Sequence, residues 1–194
     1  MEYFVEEIIL GTVIKKMTRG VLIKANELEE ITSYDKTNNQ YLNIKNIENG
    51  MITGETTYLS HIEDNYKKYC ISNNDLVITK IGFPPKIMVA QIKDDISILA
   101  SGNLYIVSLD TNKINPFYLA AYFNSDEGKK KLLNVSVGQF LSTINSTKFK
   151  SMEIPLPDME EQNNIAQKYL DIINNIDSLK KELNSQIIKL EHII

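Results

Sequence analysis

The sequence predicts an α+β protein, with a mixed-sheet domain over residues 1–157 followed by one long C-terminal coiled-coil helix over residues 158–194. Three observations lead to this prediction. In the first part, short runs rich in Ile, Val and Tyr are separated by Gly, Asn, Asp and Pro, which is typical of strands and turns. Two helical stretches lie among these runs. From residue 158 onward the sequence has neither Gly nor Pro, and its apolar residues follow a heptad period.

The elements of the first part can be given bounds. Helices are predicted over Pro116–Asn124, where a proline occupies the first turn, and over Asp126–Leu133. The strands are predicted from the apolar runs between turn residues, over Gln40–Ile47, Asp75–Ile81, Ile87–Ile92 and Asn103–Leu109. This mixture of strands and helices indicates a single α+β domain.

Two prolines mark the boundary between the domain and the long helix. The run Ile154-Pro155-Leu156-Pro157 does not suit a helix interior, because each proline lacks a backbone N–H and biases the residue before it to extended geometry. Asp158 is a good N-cap residue, and Glu161 stands three residues later as its capping-box partner. The helix is therefore predicted to begin directly after Pro157.

The long helix carries apolar residues at alternating spacings of four and three, which indicates a seam for a partner helix. The seam consists of Ile165, Tyr169, Ile172, Ile176, Leu179, Leu183, Gln186, Leu190 and Ile193. A second apolar row beside it consists of Ala166, Ile173, Ile187 and Ile194. At about 1.5 Å per residue the segment spans roughly 55 Å, more than the diameter of a domain of this size. We expect it to pair with the helix of a second copy; the alternative is a helix folded back onto its own domain.

The composition excludes several classes of protein. Cys70 is the only cysteine, which excludes a disulfide scaffold, and an apolar content of 43% is too high for a disordered tail. The longest apolar stretch, around residues 8–14, is too short to cross a membrane. The acidic N-terminus lacks the basic region of a signal peptide. We therefore expect a soluble, cytoplasmic protein.

The net charge of −4 is unevenly distributed along the chain. Residues 158–194 hold seven acids and four lysines, a balance of −3, and the remaining 157 residues hold 18 acids and 17 bases, a balance of −1. Within the first part, residues 128–152 hold five lysines and no acid. A negative total argues against a nucleic-acid binder, but the charge of the mixed domain is close to neutral and locally basic.

Motifs for catalysis or metal binding are missing from the sequence. His61 has no second ligand at metal spacing, and His192 is predicted on the exposed side of the long helix. There is no GxGxxG run and no glycine-rich phosphate loop. Cys70 precedes an apolar residue at a predicted strand edge, which favours a small buried side chain over a reactive thiol. We predict a non-catalytic chain that holds no metal and no cofactor of its own.

The proline-rich boundary carries the most specific resemblance in the sequence. The run MEIPLPDMEEQ at residues 152–162, followed by Ile165-Ala166, resembles the junction of type I restriction-modification specificity (S) subunits. In that family an IPLPPLEEQ-like string joins the target-recognition domain to a conserved spacer helix. Asp158 stands where the family often has a second proline, and aspartate still starts a helix.

Earlier segments resemble the same family in the same order. The run YLNIKNIENGMI at residues 41–52 is similar to an early strand of the recognition domain. The run NDLVITKIG at residues 74–82 is similar to its central segment, with Asn74 in place of the usual glycine. The runs at residues 115–119 and 138–139 also fit. The sequence thus resembles a specificity subunit with a single target-recognition domain.

This resemblance implies a sequence-specific DNA-recognition subunit of a restriction-modification complex. Residues 1–157 would form the DNA target-recognition domain, and residues 158–194 the spacer and dimerisation helix. Complete subunits of the family carry two of each, so two copies of this chain would form a homodimer that reads a bipartite, palindromic site. A methyltransferase (M) subunit would bind S-adenosylmethionine and flip an adenine, and a restriction (R) subunit would cut. The second apolar row would be the docking face for the methyltransferase.

Readout of double-stranded DNA uses Arg or Lys toward guanine, Asn or Gln toward adenine, apolar groups toward thymine methyls and various donors toward phosphates. Side chains of these types near the ends of the predicted strands are the candidates. They are Lys16, Arg19, Lys24, Lys45, Asn46, Thr79, Lys80, Phe83, Lys86, Asn103, Gln139, Ser142, Thr143, Asn145 and Lys148.

Two other functions stay open at this point. The chain could be the specificity component of a type IIB-like restriction-modification enzyme, or an oligomerisation adaptor whose domain binds protein instead of DNA. DNA binding that weakens steeply with salt distinguishes the adaptor from the other two. An enzyme in its own right is disfavoured by the missing motifs.

Overall fold

The structure is a computed structural model that describes residues 6–138 and 142–192. Its strands are β1 Glu6–Ile9, β2 Ile14–Arg19, β3 Asn39–Leu42, β4 Ile47–Glu48, β5 Met51–Ile52, β6 Thr57–Leu59, β7 Leu76–Thr79, β8 Ile87–Val89, β9 Ser97–Ala100, β10 Leu104–Leu109, β11 Ser136–Val137, β12 Thr143–Ile144 and β13 Glu153–Leu156. Its α-helices are α1 Ala25–Ile31, α2 Pro116–Asn124, α3 Asp126–Asn134, α4 Ser146–Lys150 and α5 Met159–Glu191. The predicted α+β class is confirmed.

The central sheet has the strand order β2-β10-β7-β8, and neighbouring strands in it are antiparallel. Its side chains alternate between two hydrophobic cores, as the period of two in a strand requires. Leu76 and Ile78 belong to the core shared with the helices, and Val77 between them belongs to the core on the other face. Because both faces are covered, all four residues of β7 are buried.

Further layers cover the two faces of the central sheet. A second sheet, β6-β3-β9, lies on one face and is mixed, because β3 pairs in parallel with β9 and antiparallel with β6. The helices cover the opposite face, where the rings of Phe123 in α2 and Phe149 in α4 have centroids 5.6 Å apart. On the far side of the second sheet, Leu99 of β9 packs with Ile31 of α1 in a third core.

Most of the predicted elements are confirmed, within a few residues at their ends. Helix α2 has the predicted bounds and α3 ends one residue later than predicted, while β7, β8 and β10 lie inside predicted runs. The strand predicted over Gln40–Ile47 is wrong in its second half. There β3 ends at Leu42, and a 3-10 turn over Ile44–Asn46 replaces the strand, because the Asn46 side chain accepts a hydrogen bond from the Asn43 N–H at 3.1 Å.

The proline-rich junction forms strand β13, which pairs antiparallel with β1. Asp158 then caps α5, since its carboxylate accepts a hydrogen bond from the Glu161 N–H at 2.9 Å. Helix α5 has 33 residues, about 50 Å at 1.5 Å per residue. Of the helices in the described part of the chain, α5 included, none is long and apolar enough to cross a membrane. The division into domains at residue 157 stays a prediction.

Gln162, in the first turns of α5, joins the helix to the domain. Its side chain is buried. Its Oε1 accepts a hydrogen bond from the Asn115 N–H at 2.8 Å, and its Nε2 donates to the carbonyl oxygens of Pro157 at 2.9 Å and Lys113 at 3.3 Å. One amide therefore connects the base of α5, the β13–α5 junction and the segment that starts α2.

The two apolar rows of α5 have different environments. Ala166 and Ile173, from the second row, are buried against the chain's own domain. The expectation that this row docks a methyltransferase is therefore wrong for these two residues, because they are already covered. In the seam, Ile165 and Tyr169 also pack against the core, whereas the later members are exposed or half-buried, and Ile193 lies outside the described residues. The first half of α5 thus folds against its own domain.

We expect Gln162→Ala to lower the free energy of unfolding by about 1–3 kcal/mol, because the substitution leaves the Asn115 N–H without its partner in a site closed to water. Urea denaturation measures this change. Gln167→Ala is the matched control on the same helix: the Gln167 amide is exposed and bonds only Asp171 among the described residues, so its effect should stay within about 0.5 kcal/mol. Equal losses for the two variants would contradict the assigned role of Gln162.

Candidate nucleic-acid interface

Four strand ends meet at one edge of the central sheet. Because neighbouring strands run antiparallel, the end of β2, the start of β10, the end of β7 and the start of β8 lie side by side. Arg19 is the last residue of β2, and Asn103 directly precedes β10. Lys80 directly follows β7, in the β7–β8 loop that also carries Phe83. Residues far apart in sequence are thus brought together at this edge.

Backbone hydrogen bonds fix the loop that follows β7. The Lys80 N–H donates to the Asn103 carbonyl at 2.7 Å, and the Lys80 carbonyl accepts from the Ile144 N–H at 2.9 Å. Two residues after Lys80, the Gly82 N–H donates to the Ser142 carbonyl at 2.9 Å. These bonds join the β7–β8 loop to the start of β10 and to the segment around β12, so the position of Lys80 does not depend on its own side chain.

Arg19 is oriented by the turn before β10. Its Nε–H donates to the Gly102 carbonyl at 2.6 Å. A guanidinium has five N–H donors in a fixed plane, and this bond uses one of them. The residue is exposed, so its terminal amino groups are accessible to a ligand. Arg19 also lies close enough to Lys80 to affect it: desolvation, then the positive charge of Arg19, lowers the pKa of the Lys80 ammonium.

We define the candidate interface as Arg19, Lys80, Phe83, Asn103 and Ser142. It offers an arginine fork of the kind that binds guanine in the major groove, an amide of the kind that binds adenine, and an ammonium for a phosphate. Phe83 is 43% exposed and supplies an apolar surface for a base or a thymine methyl. The geometry suits recognition of a duplex. In the contacts described above, the Arg19 side chain bonds the Gly102 carbonyl, whereas Lys80, Asn103 and Ser142 take part through their backbone atoms.

Two predicted candidates are occupied within the fold. Thr79 is 1% exposed, and its Oγ1 accepts a hydrogen bond from the Lys86 N–H at 2.9 Å, which closes the β7–β8 loop. Asn46 is 3% exposed, and its Nδ2 donates to the Glu55 carbonyl at 2.9 Å. We therefore remove both from the candidate surface, because a buried side chain that bonds its own backbone does not contact DNA.

Two predicted lysines lie near the β4–β5 hairpin instead of at the candidate interface. The Lys86 Nζ donates to the Ile44 carbonyl at 3.2 Å. Lys45 is exposed and lines a groove of about 610 Å³ between the hairpin and α5. These contacts hold the Lys86 and Lys45 side chains near the hairpin and bring neither of them to Arg19 or Lys80.

The remaining predicted candidates are spread over the surface. Lys16 is exposed on β2, three residues before Arg19, and Lys24 is exposed at the start of α1. Asn145 caps α4 by accepting a hydrogen bond from the Lys148 N–H at 3.0 Å, while the Lys148 side chain is exposed. Thr143 lies in β12 next to the interface, and Gln139 lies outside the described residues. The roles of these residues stay predictions.

Sequence reasoning missed the residues that support Arg19. Leu22 is exposed, and it lies over Gly102, where an added Cβ would be 2.5 Å from the leucine side chain. At Gly20, which follows Arg19, an added Cβ would be 2.2 Å from the Ser101 carbonyl oxygen. Gly20 and Gly102 were the signal in the sequence that could have indicated this contact, because glycine is common where two backbones approach closely.

The described residues contain no group of three or more His, Cys, Asp or Glu that could hold a metal ion. Burial raises the pKa of the Cys70 thiol, which disfavours the reactive thiolate. His192 is exposed, as predicted, and His61 is also exposed.

Comparison with known proteins identifies related chains. Residues 5–189 match the family model described as type I restriction modification DNA specificity domain. A Methanocaldococcus jannaschii protein described as the specificity subunit of type I restriction enzyme MjaX is 28% identical over 92% of this chain and 40% of its own length. The StySPI specificity subunit of Salmonella potsdam is 28% identical over 89% of this chain and 38% of its own length. This chain therefore spans about two fifths of these relatives.

Solved structures agree on the fold. The crystal structure of the S subunit of a type I restriction-modification system from M. genitalium superposes with a TM-score of 0.65 at 14% identity, covering 96% of this chain and 44% of that one. The HsdS subunit from Thermoanaerobacter tengcongensis gives a TM-score of 0.61 at 15% identity, covering 94% and 40%. The family match and the relatives' names also confirm the prediction of a specificity component in place of an enzyme.

We expect Arg19→Gln to raise the pKa of Lys80 toward its ordinary value. The substitution removes the positive charge that disfavours a second positive charge at Lys80, while the desolvation of Lys80 remains. NMR titration of the lysine side chain measures the shift. Lys16→Gln, three residues earlier on the same strand, should leave the pKa of Lys80 unchanged. An unchanged pKa in Arg19→Gln would show that the two side chains are farther apart than described.

Proposed function

The chain belongs to the family of type I restriction-modification DNA specificity domains, and on this premise we propose that it is the DNA-recognition component of a restriction-modification complex. The candidate interface is the observation that carries the proposal. Arg19, Lys80 and Asn103 come from three segments and meet at one edge of the central sheet, where backbone bonds hold them. Side chains on rigid strand ends can keep the geometry that base readout needs.

The proposal includes a second copy of the chain, paired through α5. Four members of the predicted seam, Ile172, Leu179, Leu183 and Leu190, are 57–69% exposed. Water-exposed leucine and isoleucine at helical spacing favour association with another apolar surface. The four positions are also placed symmetrically along the helix, because the pair 172 and 190 and the pair 179 and 183 are both centred on residue 181. An antiparallel pair with its two-fold axis beside residue 181 therefore places Ile172 against Leu190 of the other copy, and Leu179 against Leu183.

The helix dipoles favour the antiparallel arrangement over the parallel one, because antiparallel pairing opposes the two dipoles and parallel pairing aligns them.

The two-fold axis has a consequence for the DNA. A symmetric dimer presents the candidate interface twice in inverted orientation, so we propose a bipartite, palindromic site with α5 as the spacer between the half-sites. We further propose that the chain directs a methyltransferase (M) subunit and a restriction (R) subunit to this site. The M subunit would bind S-adenosylmethionine and flip the target adenine, and this chain would supply only sequence recognition and geometry.

We expect Arg19→Ala and Lys80→Ala to weaken DNA binding by the complex with the M subunit. A lost base contact costs about 1–3 kcal/mol, and a lost phosphate contact reduces the slope of log affinity against log salt by about 1. Fluorescence anisotropy over a salt series measures both. Lys113→Ala is the matched control, because Lys113 pairs with Asp110 beyond the opposite end of β10.

Three outcomes of this experiment are informative. Weaker binding in the two variants but not in the control supports the candidate interface. Equal affinities for all four proteins would place the contact surface elsewhere in the domain. If the wild-type complex bound no duplex more tightly at low salt than at high salt, the recognition function itself would be refuted and the adaptor alternative favoured.

Cysteine cross-linking tests the pairing of α5. In the Cys70→Ala background, Ile172→Cys and Leu190→Cys chains are oxidised separately and as a mixture. In the antiparallel dimer identical positions lie about 27 Å apart, because 18 residues separate them at 1.5 Å each, so only the mixture should form a covalent dimer. A parallel pair predicts the reverse: each variant alone would cross-link and the mixture would add no new species.

A pair of charge substitutions controls for non-specific association. Leu183→Glu places a charge in the proposed seam and should convert the dimer to monomer in sedimentation velocity. Ile188→Glu places the same charge on another side of α5, where Ile188 is also more than half exposed, and should leave the dimer intact. A wild-type chain that stays monomeric at all concentrations would exclude the second copy.

A further inference from the structure

The β4–β5 hairpin contacts α5 well beyond its base. Gly50, at the tip of the hairpin, has a φ of +79°, and an added Cβ would lie 2.5 Å from Tyr169 Oη and 3.4 Å from Ile173 Cγ2. The backbone of the hairpin therefore lies directly on the helix. The positive φ and the close approach together explain a glycine at this position.

An ion pair connects the same hairpin to a later point on α5. The Lys180 Nζ lies 2.7 Å from the Glu48 Oε2. Lys180 is 18 residues beyond Gln162, which places it about 27 Å farther along the helix. From residue 181 to residue 192 every residue is exposed. The Glu48–Lys180 pair is thus the outermost bond between α5 and the domain in the part of the chain that the structure describes.

Packing alone does not hold the helix at this outer point. An open groove of about 610 Å³ separates the hairpin from α5 there, and Lys45, Glu48, Glu55, Lys180 and Leu183 are among the residues that line it. An open groove has no opposing atoms to resist a tilt of the helix. The ion pair crosses this groove, so it limits a movement that the surrounding side chains permit.

Glu48 is also close enough to Lys86, at the end of the β7–β8 loop, to feel its charge. Hydrogen bonding and attraction from Lys180, then the charge of Lys86, lower the pKa of the Glu48 carboxyl. Lys86 closes the β7–β8 loop through its bond to Thr79, and that loop carries Lys80 and Phe83. Strand β4, which carries Glu48, also contacts β8 at the end of that loop, so Glu48 is close to β8 and bonded to α5.

We propose that Glu48 is a positioning residue, which with Lys180 fixes the direction of α5 relative to the candidate interface and so determines which spacing between half-sites the dimer accepts. This inference rests on the proposed function, including the paired helices. Without the outer bond, the part of α5 beyond Ile173, the last buried residue of the helix in the described part of the chain, can tilt. Over the roughly 26 Å from Ile173 to Leu190, a tilt of about 8° moves the end of the helix by about 3.4 Å, which is the rise of one base pair.

Charge exchange tests the proposal on DNA. Complexes with the M subunit methylate a library of duplexes in which the distance between inverted half-sites varies by single base pairs. Glu48→Lys and Lys180→Glu should each reduce the preference for the best spacing over its neighbours by about threefold, in keeping with an exposed ion pair present twice in the dimer. The double variant Glu48→Lys/Lys180→Glu should restore the wild-type preference. The half-site sequence that is methylated should be the same for the wild type, both single variants and the double variant.

Lys181→Glu is the matched control for these variants. It makes the same charge change one residue further along α5, where Lys181 pairs with Asp177 of its own helix and not with the hairpin. We expect it to leave the spacing preference unchanged. If any change of charge on the helix had this effect, Lys181→Glu would alter the spacing preference as much as Lys180→Glu.

A distance measurement tests the same inference without DNA. Spin labels are attached at Tyr34→Cys, on a fully exposed residue of the domain, and at Ile188→Cys, near the end of α5, in the Cys70→Ala background and diluted with unlabelled chains. The distance distribution should be narrow in the parent protein, broader in each single charge variant and narrow again in the double variant.

The outcomes separate this inference from the function on which it rests. Unchanged spacing and unchanged distances in the single variants would overturn the role of Glu48 while leaving DNA recognition intact. A change of half-site sequence in the single variants would also overturn it, because Glu48 would then act on base readout. If the wild-type complex modified no bipartite site, the proposed function would fail and the spacing claim with it, and the label distances would still show whether the ion pair orients α5.

Discussion

The side-chain amide of Gln162 joins the two halves of this molecule. The segment before α2 and the junction before α5 meet there, and each leaves backbone groups that face a site closed to water: the Asn115 N–H and the carbonyls of Lys113 and Pro157. Burying such groups without partners is costly. Glutamine supplies an acceptor and a donor on one side chain of suitable length, which neither an apolar residue nor an ionised glutamate can do. The position of α5 on the domain, and with it the direction of everything that α5 carries, depends on this amide.

Local signals in the sequence were enough to predict elements whose ends are determined by neighbouring residues. Asn115 caps α2 and Asp158 caps α5 through bonds to N–H groups two and three residues later, so these starts could be read from the chain. The pairing of β1 with β13, and of β3 with β9 in parallel, joins segments far apart in sequence. No local pattern specifies such a pairing. The wrong end of the strand predicted over Gln40–Ile47 has a local origin instead, because the Asn46 side chain accepts a hydrogen bond from the Asn43 N–H and closes a 3-10 turn.

The residue types of the candidate interface were predictable, but their selection was not. A polar residue at a strand end can face a ligand or can bond its own backbone, and Lys80 and Thr79 are adjacent examples of the two outcomes. Only the three-dimensional structure shows which of the two side chains bonds the backbone and which is open to a ligand. The convergence of Arg19, Lys80 and Asn103 depends on hydrogen bonds among the end of β7, the start of β10 and the segment around β12. The contribution of Gly20 and Gly102 was equally hidden, because a glycine in sequence shows that a backbone is close without showing which one.

The apolar seam and the buried row of α5 constrain each other, because they belong to one helix. Successive residues of an α-helix are rotated by about 100°, so the row through Gln162, Ala166 and Ile173 fixes the direction of the row through Leu179 and Leu183. A helix rotated by one residue would bury part of the seam against the domain and expose Ala166 and Ile173 instead. The intrachain bonds of Gln162 therefore do more than stabilise the fold. They set which face of α5 is available to a second copy, and a dimer built on that face inherits its geometry from a contact within each chain.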